Sequence, residues 1–354
     1  MASTPAAVVV WLSVCCLLVF STVVLGAAVR LTGSGLSMVD WRPLAGVIPP
    51  LDGAAWRHAF EQYRQFPEFK LVNPDMTLAG FKFIFWMEYA HRLLGRVIGV
   101  VFLLPFVFFL AAGTVRGALC ARLWALFVLG GAQGLLGWYM VQSGLVDDPR
   151  VSHYRLALHF MLAVAIYAYL LRVVVGIARP APPGPAQSAS ITSAGTVAVA
   201  LILVTMLSGA LVAGTRAGYA YNTWPKMNGL WIPGQLLAMR PWWLNFTENI
   251  VAIQFVHRWL AAVAGVAAAV FAWRLIRARA ANWGCWILAL VGVQIALGIA
   301  TLLLRVPALL GVAHQAGAML LLSVAVIALA GHLPPLAAVG HSADPAAEPG
   351  REAR

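Results

Sequence analysis

The sequence predicts an all-α polytopic membrane protein, with eight transmembrane helices arranged as two tandem four-helix bundles in a parallel internal repeat. Composition is the first ground. Of 354 residues, 62% are hydrophobic and 10% charged, and the mean hydropathy is +0.84. So few polar residues could not cover the outside of a soluble domain. The second ground is distribution: apolar runs long enough to cross a bilayer lie near residues 8–29, 83–112, 123–142, 153–175, 191–213, 249–273, 285–304 and 308–332. The third is self-similarity. GAAVRLTGSGLSMVDWRPLAG at 26–46 aligns without gaps on GALVAGTRAGYAYNTWPKMNG at 209–229, and EYAHRLLGRVIGV at 88–100 on QFVHRWLAAVAGV at 254–266. Gln133 and Gly137 then correspond to Gln294 and Gly298, and His159 to His314. Four helices per unit keep both copies in one orientation, which makes the repeat parallel.

Each element follows from local signals. The first run starts almost at the N-terminus, without a basic leader or an Ala-x-Ala-like cleavage site, and is expected to be a retained helix of a bacterial inner membrane. Basic residues cluster in short connections: Arg116 and Arg122; Arg172 and Arg179; Arg274, Arg277 and Arg279. The positive-inside rule puts these, and with an even helix count both termini, in the cytoplasm. The long connections 30–82 and 214–248 then lie outside, and their Trp, Pro and other aromatic residues suit a folded cap at the interface. Residues 1–180 form the N-terminal half and 181–332 the C-terminal half. The Pro-, Ala- and Gly-rich stretch 333–354 reads as a disordered cytoplasmic tail.

The formal charge of +12 does not signal nucleic-acid binding, because the basic residues sit at helix ends and form no recognition face. Cys15, Cys16, Cys120 and Cys285 lack metal-site spacing and read as small apolar fillers. The glycines at 33–35 and 130–137 follow no strand, so helix packing explains them better than a phosphate cradle.

Chemistry concentrates in four histidines. Ionisable groups inside a membrane span are costly and mark function. His91 and His257 stand on the second helix of each unit, His159 and His314 on the fourth, each about seven to nine residues, or roughly 10–14 Å, inside the outer helix end. One shared depth at equivalent positions suits two axial pairs for heme, a flat apolar group that takes two neutral nitrogens. A structural zinc site would need further ligands that the sequence does not offer. Glu88 precedes His91 by three residues, on the same helical face, and its counterpart before His257 is Gln254. One unit therefore carries an acid beside its candidate heme and the other a neutral amide; a pairing of Glu88 with Arg92 or Lys82 is the competing reading. Arg92 and Arg258 could reach heme propionates or snorkel to lipid phosphates. His153 points away from His159 and reads as interfacial; His58, His332 and His341 lie in a loop or the tail.

RLTGSGLSMVDWRP at 30–43, QYRQFPEFKLVNPDMTLAGFKFIFWMEYAHRLLGR at 62–96, YNTWPKMNG at 221–229, QFVHRW and AHQAG together resemble heme A synthases of the mitochondrial and alphaproteobacterial type. The likeness spans nearly all of residues 8–330. It implies oxidation of the C8 methyl of heme O to a formyl group, through two hydroxylations and collapse of a gem-diol, to give heme A for cytochrome oxidase. It further implies that His257 and His314 hold a permanent heme b, and that His91 and His159 hold the substrate heme with Glu88 near the methyl. Other family members carry a cysteine pair in the first outer loop; this chain has none there, so no loop thiol chemistry carries over. The implied partners are heme O and the lipid bilayer, with heme O synthase, cytochrome oxidase assembly factors and a second copy of the chain as further candidates. A diheme b-type electron-transfer cytochrome, or a heme carrier that assists oxidase assembly, would use the same histidines.

Overall fold

The computed structural model describes residues 6–39, 45–142, 151–178 and 189–333. Its long helices are α1 (Ala6–Leu31), α4 (Leu78–Ala111), α5 (Gly117–Gln142), α6 (His153–Ala178), α7 (Ala189–Thr215), α8 (Ile250–Arg277), α9 (Ala281–Leu303) and α10 (Ala308–Ala330). Two short helices, α2 (Gly53–Arg64) and α3 (Pro67–Leu71), lie between α1 and α4. All eight long helices are long and apolar enough to cross a membrane, so the chain is a multi-pass membrane protein. Arg179 and the tail beyond Leu333 lie outside the described residues.

The two units meet through α1, α6, α7 and α10, which pack on one another, while α4 and α5 flank one side and α8 and α9 the other. Phe271, Leu12, Leu119, Leu123, Met319 and Leu322 lie fully buried in this one continuous core. With lipid outside, its cohesion comes from close packing and a few interhelical hydrogen bonds. Trp11 Nε1 donates to the Val101 carbonyl at 2.7 Å, Tyr167 and Ser323 share a hydroxyl hydrogen bond of 2.7 Å, and Gln315 Nε2 donates to the Val23 carbonyl at 2.7 Å. At the junction of the units, the Arg30 guanidinium donates to the last carbonyls of α7, Ala213 at 2.9 Å and Gly214 at 3.1 Å. Those carbonyls have no partner within their helix, and a cation there also answers the helix dipole.

Both first helices of the repeat end in the left-handed region, at Gly33 with φ 65° and at Arg216 with φ 58°. A residue there turns the chain out of the helix into the long connection. Residues 45–77 of the first connection fold against the start of α4 as a cap. Asp52 caps α2 by accepting from Ala55 N at 2.8 Å. Its apolar face sets Trp56 and Tyr63 on Phe81, Phe85 and Tyr89 of α4, with Trp56 edge-on to Phe85 at 5.0 Å. The opening turns of α4 thus serve the cap, which is why this helix begins at Leu78, before the apolar run read from residue 83. The second connection is held by Asn245 and Asn249, both buried; Asn249 reaches the Gln235 carbonyl at 2.7 Å and caps α8 through Val251 N at 3.0 Å.

Candidate functional site

His91 stands on α4, His159 on α6, His257 on α8 and His314 on α10, all toward the helix ends that carry the cap. His91 and His159 lie near enough to interact electrostatically, and so do His257 and His314. The fold therefore brings the members of each expected pair near one another.

Each imidazole lies against a glycine of a neighbouring helix, at matching positions of the repeat. A methyl built on Gly26 of α1 would stand 3.1 Å from His91 Cε1, and one on Gly209 of α7 3.1 Å from His257 Cε1. On Gly137 of α5 and Gly298 of α9 the methyl would stand 2.9 Å from Cε1 of His159 and His314. Ordinary carbon contacts are about 3.5–4.0 Å, so a side chain at any of these four positions would push the ring. Gly26 and Gly209 open the aligned repeat segments, and Gly137 and Gly298 follow Gln133 and Gln294 by one turn. The signal was in the sequence; that these residues give room to the histidines could be seen only in space.

The surroundings of the rings differ between units. The His257 ring lies by the Thr205 carbonyl, with the Ser208 hydroxyl 2.8 Å from Nδ1. The His91 ring lies by the matching Thr22 carbonyl. Leu25 stands where Ser208 does in the repeat, and the buried His91 Nδ1 makes no hydrogen bond. Gln133 Nε2 donates to the His159 carbonyl at 3.0 Å and sits 3.2 Å and 3.3 Å from the two ring nitrogens. Gln294 Nε2 reaches only the His314 carbonyl, at 2.9 Å, which leaves the buried His314 Nδ1 unpartnered. The units also pack differently: α8 lies along α9 at close range, whereas α4 and α5 touch only sparsely. Paired imidazoles walled by glycines, with Nδ1 of His91 and of His314 unpartnered, are nitrogen donors of the kind that would hold a planar iron complex. Among the described residues no cluster of three or more metal-binding side chains competes.

Glu88 is 3% exposed. Its Oε2 accepts from Ser37 Oγ at 2.7 Å and Met38 N at 2.8 Å, and its Oε1 pairs with Arg92. Arg92 also donates to the Met38 carbonyl at 3.1 Å. Lys82 lies instead over the Trp56 ring at 5.2 Å. The second unit repeats the arrangement with an amide: Gln254 Nε2 donates to the carbonyls of Ala217 at 2.9 Å and Tyr221 at 3.2 Å. Arg258 reaches the carbonyls of Tyr221 at 2.9 Å and Thr223 at 2.9 Å, and Gln254 Oε1 at 3.2 Å. Met38 and Tyr221 are counterparts in the repeat. Position 88 or 254 and its arginine thus tie each long connection to the helix that carries His91 or His257, and of the two positions only 88 holds a carboxylate. His153, read as interfacial, faces Glu248 at 3.5 Å.

Fold and site define a multi-pass helical membrane protein with two matched, unequally furnished pairs of intramembrane histidines. The chain belongs to the COX15-CtaA family of cytochrome oxidase assembly proteins, whose model matches residues 9–326. It is 48% identical to a heme A synthase of Rhodospirillum centenum, over 90% of this chain and 87% of that one. It is 47% identical to a heme A synthase of Nitrosospira multiformis, over 90% and 91%, and 45% identical to one of Azorhizobium caulinodans, over 92% and 94%.

Proposed function

We propose that the chain is a heme A synthase of the bacterial inner membrane, with both termini cytoplasmic and the cap outside, and that it oxidises the C8 methyl of heme O to a formyl group. The observation that carries the reading is the contrast between two matched sites: a buried carboxylate beside His91 and a neutral amide beside His257. The likeness to heme A synthases over most of the chain supplies the reaction.

His91 and His159 would hold heme O, and His257 and His314 a resident heme b, in residues 1–180 and 181–332 respectively. The Ser208 hydroxyl on His257 favours that division, since an oriented imidazole makes a firmer ligand. Its absence at His91, with the sparse contact between α4 and α5, suits a group that enters and leaves. A heme b at the second site would supply a one-electron redox centre beside the reacting one. The protein's own work is to orient the substrate, keep water out and move protons. With water as the oxygen source, taking the methyl to a formyl group passes electrons to an external oxidant and releases protons, and Glu88 is the carboxylate to which we assign their acceptance. Ser37, Met38 and Arg92 fix its position, and Arg92 and Arg258 bring positive charge to where the outward edge of each heme would lie. Heme O synthase is the natural source of the substrate.

The test is to extract pigments from cells that make this protein together with a heme O source. Formyl heme bears out the proposal, heme b alone points to a diheme cytochrome, and enriched heme O points to a carrier. In the same cells Glu88→Gln should keep both hemes bound while heme A output falls about 10²-fold or more, the scale for losing a general base. Near-normal output would leave the carboxylate a structural tie only.

A further inference from the structure

The outer cap buries a second carboxyl that the reaction above does not use. Glu68, on α3, is 7% exposed, and its Oε2 is buried without a hydrogen-bond partner. The Tyr63 hydroxyl hydrogen-bonds the carboxyl and in turn accepts from Asn73 Nδ2 at 3.0 Å. Tyr63 is fully buried in the aromatic cluster that includes Phe81 and Phe85 of α4, and Met38 and Phe69 pack against that cluster. Met38 donates its N–H to Glu88, so α3, the segment after α1 and α4 bring the two carboxyls to one apolar cluster. An unpaired carboxyl here costs stability, and the cap offers no structural return for its free oxygen.

We propose that Glu68 is the proton outlet of Glu88: a proton arriving on Glu88 drives one off Glu68, toward the outer face. This rests on the reading of Glu88 as the acceptor of protons released at the methyl. The physics is like-charge repulsion between carboxylates in an apolar setting. While Glu88 is ionised it disfavours the ionised form of Glu68; once Glu88 takes a proton, that penalty disappears and Glu68 ionises. One proton enters the pair and one leaves, the pair keeps its charge, and no electrons move. Burial pushes the Glu68 carboxyl up to about 7, with the Tyr63 hydrogen bond opposing and the Glu88 charge adding to the rise. Among the described residues, several cations around Glu68 have positions or partners of their own. Arg92 is engaged with Glu88, Lys82 with Trp56 and Arg64 with the Phe69 ring at 5.4 Å, and Lys70 is exposed.

The test uses the purified full chain with its hemes. Infrared titration should show a carboxylic-acid carbonyl band with a midpoint near neutral pH that vanishes in Glu68→Gln and moves to lower pH in Glu88→Gln, where the repelling charge is gone. Heme A formation in Glu68→Gln should fall on the order of tenfold, less than for a group at the reacting atoms. It should also lose its inflection near neutral pH, while Glu68→Asp restores part of both. A midpoint that ignores Glu88→Gln overturns the proposal. So does normal output with an unchanged pH profile in Glu68→Gln when Glu88→Gln is inactive. Normal output from Glu88→Gln instead removes the reading on which the outlet depends.

Discussion

Gly298→Ala separates room for an imidazole from ordinary helix packing. The added methyl would stand 2.9 Å from His314 Cε1, so the ring must retreat by about 0.5–1 Å to regain normal carbon contact. Without a ligand the ring is the far end of a rotatable side chain and can swing away at little cost. Removing a helical glycine even adds about 1 kcal/mol of helix propensity, so the variant should fold at least as well as the parent. Were the ring to hold an iron as proposed, it could not swing, and overpacking of this kind costs about 1–3 kcal/mol. At 1.4 kcal/mol per tenfold, the proposed resident heme should bind about 5- to 140-fold more weakly. Gly292, on the same helix, has open space where its methyl would go, so Gly292→Ala is the matched control. The assay is heme b per protein after detergent purification, with the low-spin spectrum and the thermal midpoint of the heme-free protein. Full heme content in Gly298→Ala, or equal loss in Gly292→Ala, would refute the assignment of these glycines.

Removing a ligand should be more severe: His257→Ala and His314→Ala should each abolish the low-spin heme b spectrum, while His58→Ala on the cap should leave it intact. Reporter fusions after Arg116 and Arg279 should score cytoplasmic and those near Gly53 and Gly234 external; a cytoplasmic score at Gly53 would move the histidine pairs to the wrong side. The cap should weaken as pH rises. Glu68 ionises near 7 when folded and near its ordinary 4.5 when unfolded, so the stability of the buried acid is full below about 4.5 and is lost toward and through 7. The loss is up to about 3 kcal/mol. Limited proteolysis of residues 45–77 should accordingly be faster at pH 8 than at pH 5.5, and Glu68→Gln should flatten that difference.

Sequence alone determined the elements and singled out the candidate site residues. Hydropathy set the eight spans because a bilayer imposes one length and one polarity on any helix that crosses it. The repeat then singled out His91, His159, His257 and His314, since a costly residue kept at equivalent depth in two units is hard to explain by packing. The contrast of Glu88 with Gln254 was likewise legible in the alignment. Tertiary structure decided what surrounds those residues. Gly26, Gly137, Gly209 and Gly298 meet their histidines across the gap between separate helices, and no periodicity within one helix reports such a contact. Ser208 on the His257 ring, Gln133 on the His159 ring and Ser37 on Glu88 are of the same kind. So is the approach of Glu68 toward Glu88, because it depends on α2 and α3 folding back over the start of α4. A one-dimensional pattern records burial and period, whereas partners across an interface are fixed only when the helices and the cap have packed.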